Sequence, residues 1–176
     1  MHYPKDIFKF CLRCGSGNFI NNTFRSFECA DCGFQYYVNS SAAVAAIIVN
    51  ENNELLLAVR AFEPQKGMLD LPGGFVDPGE SAEETIIREI KEELNLDIEE
   101  VTYFTSFPNE YLFSGLTVFT LDLAFICKVT DFSKIKCADD VSDYLFVTKE
   151  NIDYSKIGGE SIKRILKIFF NSNNLI

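Results

Sequence analysis

No apolar run in the chain approaches the roughly 20 residues that a membrane-spanning helix requires. The polar start Met1-His2-Tyr3-Pro4-Lys5-Asp6 lacks the pattern of a signal peptide. Together these two absences lead to the expectation of a cytoplasmic protein. Basic residues are scarce as well: 16 Lys and Arg against 26 Asp and Glu leave a formal net charge of −10. Such a surplus repels nucleic-acid backbones and phosphate compounds alike unless a basic patch or bound cations reverse the sign locally. Cations are the expected remedy. Internal repeats and low-complexity tracts are absent. What is present is 176 residues, 47% hydrophobic and 14% aromatic, enough for one domain with a sizeable core and a small appendage.

The appendage is marked by cysteine. Four of the six cysteines form two pairs, Cys11-Leu12-Arg13-Cys14 and Cys29-Ala30-Asp31-Cys32, separated by 14 residues. Each CxxC turn lets two thiolates converge, and two such turns at this spacing meet around one tetrahedral zinc. Gly15 and Gly33 follow the second cysteine of each pair, where the backbone must bend. Redox CxxC motifs usually come singly, and disulfides are not expected without export. Cys11, Cys14, Cys29 and Cys32 are therefore expected to hold one structural Zn2+, closed to water, and the lone histidine, His2, is not needed as a ligand. Cys127 and Cys137 read as small apolar core residues. Composition changes near Val38 to Ser41, which sets a zinc ribbon at 1–38 and a second domain at 42–176.

In the second domain, Ala43 to Val49 and Leu55 to Arg60 read as two strands of a hairpin. Glu63 to Gly79 holds three prolines and four glycines and must be mostly loop. Ser81 and Glu84 form a capping box for a helix running to about Leu94. Further strands are expected in Val101 to Phe107, Thr117 to Val129 and Tyr144 to Thr148, and an amphipathic helix in Ser161 to Phe170. Without a regular βαβ rhythm, the expected fold is a mixed sheet of the α+β kind with helices on its faces.

The first helix carries the chemistry. Ala82, Ile86, Ile90 and Leu94 recur every four residues and form the buried stripe, while Glu89, Glu92 and Glu93 share another face. Three crowded carboxylates repel one another by a few tenths of a kcal/mol per pair, or supply hard oxygen ligands for Mg2+ or Mn2+. Taken alone, an ExxEE patch is more often a solvated acidic face. Its surroundings reverse that ranking. Gly74, five residues, Glu80, seven residues, Arg88-Glu89-Ile90, one residue, Glu92-Glu93, one residue, Asn95-Leu96 resembles the Nudix box almost position for position. Asn95 stands where the family usually has glycine, and asparagine is the next best residue for a left-handed helix end.

The resemblance to the Nudix hydrolases implies an α/β/α sandwich and a pyrophosphohydrolase that cleaves a diphosphate linkage in a nucleotide derivative. It implies that Glu89, Glu92, Glu93 and the Gly74 carbonyl take part in metal binding, and that Arg88 orients the carboxylates. Glu92 and Glu93 are candidate bases; Asp139, Asp140 and Asp143 are candidates for a further acid, with Asp143 favoured. Gly73 and Gly74 would let backbone approach metal and phosphate, and Arg60 would reach a phosphate unless it lies in solvent or pairs with Glu63. Phe107, Tyr111 and Phe113 could stack on a base, although core packing suits at least two of them better.

A zinc ribbon directly before such a domain resembles the NADH pyrophosphatase group, which favours NAD(H) or ADP-ribose, with FAD or another nucleoside diphosphate derivative also in the class. Where that group has Ser-Gln-Pro-Trp, this chain has Ser106-Phe107-Pro108-Asn109. Related two-domain hydrolases imply a homodimer. The alternative reading is a catalytically silent nucleotide sensor whose ribbon binds nucleic acid or a protein. Arg13 and Arg25, without a lysine-rich patch, fit nucleic acid poorly.

Overall fold

In the computed structural model, which describes residues 3–172, the chain runs α1 (Pro4–Ile7), β1 (Phe19–Thr23), β2 (Ser26–Cys29), β3 (Gln35–Tyr37), β4 (Ser41–Ile47), β5 (Leu55–Arg60), β6 (Leu69–Asp70), α2 (Ala82–Leu94), β7 (Glu100–Phe113), β8 (Leu116–Lys128), β9 (Val141–Val147) and α3 (Glu160–Asn171). His2 lies outside the described residues. Contacts divide the chain into two units, one holding residues up to Ser41 together with Glu110–Phe119, the other Ala42–Asn109 and Thr120 onward.

In the larger unit, alternation along the strands sends successive side chains to opposite faces. Val44, Ala46, Leu56, Ala58, Phe125 and Cys127 pack with Ile86, Ile90 and Leu94 of α2. Their neighbours Ala45, Ile47, Leu55, Leu57 and Ala124 pack with Ile162, Ile165, Leu166 and Phe169 of α3. The result is the helix–strand–helix layering expected of the fold, and each fully buried Leu or Ile contributes on the order of 2 kcal/mol. The strands lie in two sheets, β4-β8-β7 and β6-β5-β9, with β5 antiparallel to both β6 and β9. Cys127 is buried in the α2 face and Cys137 lies half-buried against it.

The hairpin expected of β4 and β5 exists only at its closed end. Val49 bridges Leu55, and the Leu56 amide donates to the Ile48 carbonyl at 2.9 Å; beyond this the two strands enter separate sheets. The reason lies in the glycine-rich loop, which takes hydrogen bonds along β4: Val44 N–H to Gly74 O and Ala46 N–H to Pro72 O, both 2.8 Å. Residues 63–79 are loop apart from the two-residue β6. Helix α2 starts at Ser81 with both halves of the capping box made and ends at Asn95 in the left-handed region, φ 53° and ψ 31°.

The smaller unit is an antiparallel three-stranded sheet, β1-β2-β3. Its core is Phe27, stacked on Phe19 at 5.2 Å and met by Phe8 and Tyr36, together with Cys11 and Cys29. Four buried residues are too few to offset the chain entropy of a segment this long without a further tie. The tip of the β7–β8 pair, with the left-handed turn Ser114-Gly115, belongs to this unit and places Phe119 against Tyr3 and Phe24.

Candidate functional site

In the smaller unit the two CxxC turns are built alike. The Gly15 amide donates to the Cys11 carbonyl at 2.8 Å and the Gly33 amide to the Cys29 carbonyl at 2.9 Å, both glycines having positive φ. Asp31 ties one turn to the other by accepting from Ser16 and Asn18. The four sulfurs lie within 4.8 Å of one another, with Cys11–Cys32 and Cys14–Cys29 both at 3.7 Å. That is far beyond a disulfide bond, and it is close to the edge of a tetrahedron whose arms are the roughly 2.3 Å of a zinc–thiolate bond. The donor set fits a structural metal.

In the larger unit the carboxylates of α2 are organised by Arg88. Its Nε and Nη2 grip both oxygens of Glu80 at 2.8 and 2.9 Å, its Nη1 reaches Glu89 at 2.8 Å and Glu92 at 3.0 Å, and Nη2 also touches the Phe75 carbonyl. This grip holds the Glu80 carboxyl down to about 2. Burial raises Glu89 above the ordinary glutamate range in spite of Arg88. A methyl group on Gly74 would stand 2.5 Å from the Glu89 carboxyl carbon, so only glycine leaves that carboxylate its place. The Gly74 carbonyl accepts the Val44 amide at 2.8 Å, which uses one of its two lone pairs.

Glu93 turns the other way. It is 4% exposed, accepts the Gly73 amide at 2.9 Å, and is pushed up to about 8, first by burial and then by the nearby Glu89, Asp70 and Asp140 charges. Gly73 has φ 146°, and a side chain there would run into the Val44 carbonyl. Glu93 helps line a small cleft with Arg60, Asp70, Pro72, Gly73 and Asp140. Arg60 pairs with Asp70 at 3.0 Å rather than with Glu63, and burial raises Asp70 to about 6 against that pairing.

Asp143 does not line this cleft; on that segment the lining residues are Asp140 and Val141. The Ala138 amide donates to the Glu93 carbonyl at 2.9 Å, and Lys136 likewise caps Leu94, so the segment crosses the end of α2 and delivers Asp140 beside Glu93. Asp143 sits two residues inside β9, opposite Val59, at an exposed position in step with Leu145 and Val147, which pack toward α3. Phe107 packs partly buried in the α3-side cluster under the Arg164 guanidinium, 5.9 Å away, while Tyr111 belongs to the smaller unit. No sequence pattern marks the role of Asp70, which directly precedes Leu71-Pro72-Gly73-Gly74, or the grip of Arg88 on Glu80.

The model of the NUDIX domain matches residues 40–165. The NAD-capped RNA hydrolase NudC of Vibrio atlanticus is 30% identical over 130 residues, 74% of this chain and 48% of that protein. NudC of Stutzerimonas stutzeri is 36% identical over 98 residues, 56% of this chain and 35% of its own length. The chain thus spans about half the length, or less, of these curated relatives. Among solved structures, a NUDIX hydrolase from Nitrosomonas europaea superposes with a TM-score of 0.71 at 24% identity, over 94% of this chain and 92% of that one. The NUDIX domain of Shewanella oneidensis NrtR, complexed with ADP-ribose, gives 0.60 at 17% identity, over 74% and 87%. Layered fold, glycine loop, Arg88-centred carboxylates and sequence agree, and the chain belongs to the NUDIX family.

Proposed function

We propose that the chain is a divalent-metal-dependent pyrophosphohydrolase that cleaves the diphosphate linkage of a nucleotide derivative, with NAD(H) or ADP-ribose the preferred substrates and a four-cysteine Zn2+ site holding its N-terminal ribbon. The observation that carries it is Glu93. An ionised carboxylate buried beside Glu89, Asp70 and Asp140 is costly when it accepts one backbone amide and Arg60, the cation of the cleft, is committed to Asp70, and a divalent cation would relieve that cost. Mg2+ or Mn2+ held by Glu89, Glu92 and Glu93 would neutralise phosphate oxygens and make a bound water acidic enough to attack phosphorus.

The chain's own residues do the rest. Arg88 keeps Glu89 and Glu92 from drifting into solvent, and among the described residues its hydrogen bonds go to carboxylates and the Phe75 carbonyl. The Gly73 amide fixes one Glu93 oxygen at 2.9 Å and leaves the other as a ligand or proton acceptor. Arg60 supplies positive charge to the cleft, and Asp140 stands where a further acid is needed. The substrate preference is supported by curated relatives whose name specifies an NAD-capped RNA and by a fold neighbour that holds ADP-ribose.

The test is Mg2+-dependent hydrolysis of NADH, ADP-ribose and FAD by the wild type and Glu93→Gln. Cleavage of at least one compound, abolished by chelation, is expected. Nucleotide binding without hydrolysis under Mg2+ or Mn2+ would replace the enzyme with a sensor.

A further inference from the structure

Among the residues lining the cleft, Arg60 is the sole cation facing Glu93, Asp70 and Asp140. A guanidinium facing three carboxylates can serve a phosphate only if its pairing with them leaves one edge unused. Pairing of Ala58 with Asp70 and Val59 with Leu69 brings the end of β5 alongside Asp70. The Asp70 carboxylate is oriented by accepting the Leu71 amide on Oδ1 at 2.9 Å, and its Oδ2 takes Arg60 Nη1 at 3.0 Å. Arg60 Nε donates to the Pro64 carbonyl at 3.0 Å. The loop bearing Pro64 is itself anchored, Gln65 Nε2 donating to the Gly158 carbonyl at 2.7 Å and the Gly67 amide to the Arg60 carbonyl at 2.9 Å. Two of the three guanidinium nitrogens are thus fixed, and Nη2 has no hydrogen-bond partner among the described residues.

We infer that Asp70 is a positioning residue: it holds Arg60 away from Glu93 and Asp140 so that the free Nη2 edge donates to one phosphate of the substrate diphosphate. This rests on the reading of the cleft as a diphosphate site. A planar guanidinium fixed on two sides presents its last edge at little entropic cost, which a mobile one does not.

Two measurements on the full chain test it. In nitrogen-15 relaxation spectra the Arg60 Nη1 group should show restricted rotation about its bond to Cζ in the wild type and in Asp70→Asn, which keeps an acceptor oxygen, and rotate freely in Asp70→Ala, while Nε–H stays held by the Pro64 carbonyl in all three. Unchanged restriction of Nη1 rotation in Asp70→Ala overturns the proposal whether or not the protein hydrolyses anything. With Mg2+ present, Asp70→Ala should weaken binding of the non-hydrolysable α,β-methylene ADP-ribose and raise KM by about tenfold, the loss of one charge-assisted hydrogen bond, with kcat changed by less than about threefold. Asp70→Asn should recover most of this. In an Arg60→Ala background, Asp70→Ala should cost nothing further, because the two act as one unit. An equal loss in that background would make Asp70 an independent contact and sink the proposal. A wild type inert toward every diphosphate would instead remove the functional reading, while the relaxation comparison still decides whether Asp70 holds Arg60.

Discussion

The four sulfurs of the ribbon and the three glutamates of α2 are both candidate ligand sets, yet they are built on opposite principles. The sulfurs stand 3.7 Å apart in pairs, on turns that differ little from one another. The glutamates are dispersed, two gripped by Arg88 and one tucked under Gly73. Thiols can be neutral and gather without repulsion, whereas carboxylates at neutral pH need a counter-charge to stay close. A closed soft site can serve structure; an open hard site, held by an arginine that does not fill it, keeps room for substrate. Charge follows the same division. The smaller unit carries Lys5, Lys9, Arg13 and Arg25 against Asp6, Glu28, Asp31 and Glu110, so it is neutral and the whole net charge of −10 lies on the larger unit.

The sharpest way to break this comparison is to remove the Zn2+ proposed for the ribbon. Purified protein should contain about one zinc per chain, and chelation should cost the ribbon on the order of 10 kcal/mol of folding free energy. Hydrogen exchange should then lose protection at Phe27 and Cys29 while Leu55–Leu57 and Ile86–Leu94, which have their own core, keep theirs. Protein lacking zinc, or uniform loss of protection, would contradict the contrast. Next in size is Glu93→Gln, expected to lower Mg2+-dependent turnover about 100-fold or more with the fold intact. Circular dichroism and the hydrolysis panel check it together.

That contrast also shows how much could be read from sequence. The paired CxxC turns, the capping box at Ser81 and Glu84, and the left-handed Asn95 are legible because each is a local pattern within one turn of chain. Glu89, Glu92 and Glu93 could be placed on one face, but not ranked. Their spacing is helical, whereas the burial of Glu93 depends on a loop 20 residues earlier in the chain folding over it. Asp140 displaced Asp143 from the cleft for a similar reason, since only the bonds from 136–138 to the end of α2 decide which aspartate arrives there. The parting of β4 from β5 was hidden because the closed end of the hairpin reads the same whichever sheet each strand later joins.

A third expectation concerns pH. In metal-free protein Glu93 moves from the ordinary 4.5 to about 8, and Asp70 from 3.8 to about 6. Between these limits the folded state holds protons that the unfolded chain has released. The stabilisation is complete below about pH 4, declines as pH rises, and is exhausted once pH passes about 8, at a rate of at most about 1.4 kcal/mol per unit for one group. Glu93→Gln should flatten the decline above pH 6. Mg2+ requires the ionised form, so its affinity should increase from pH 6 to 8 more steeply in the wild type than in Glu93→Gln. Melting curves with and without Mg2+ across this range measure both slopes, and a wild-type slope unchanged by Glu93→Gln would place the proton elsewhere.

The smallest effect compares the left-handed residues that close a turn in each region. Gly33 follows a cysteine pair at φ 69° with nothing within 4 Å of the position a Cβ would take, so Gly33→Ala meets no obstacle except its own backbone conformation. That costs on the order of 1 kcal/mol, small beside what a bound Zn2+ would contribute to the turn, so zinc content should not change. Asn95 at φ 53° already bears a side chain there and recovers part of the cost through Nδ2, which donates to the Lys134 carbonyl at 3.0 Å. Asn95→Gly therefore relieves backbone strain and loses one hydrogen bond, two terms of about 1 kcal/mol and opposite sign, so stability should be nearly unchanged. Asn95→Ala keeps the strain and loses the bond, costing about 1 kcal/mol. If Asn95→Gly proves as damaging as Asn95→Ala, the bond to Lys134 outweighs the backbone term. Asparagine at the end of this helix would then be tying down the segment that carries Asp140, rather than merely tolerating a position suited to glycine.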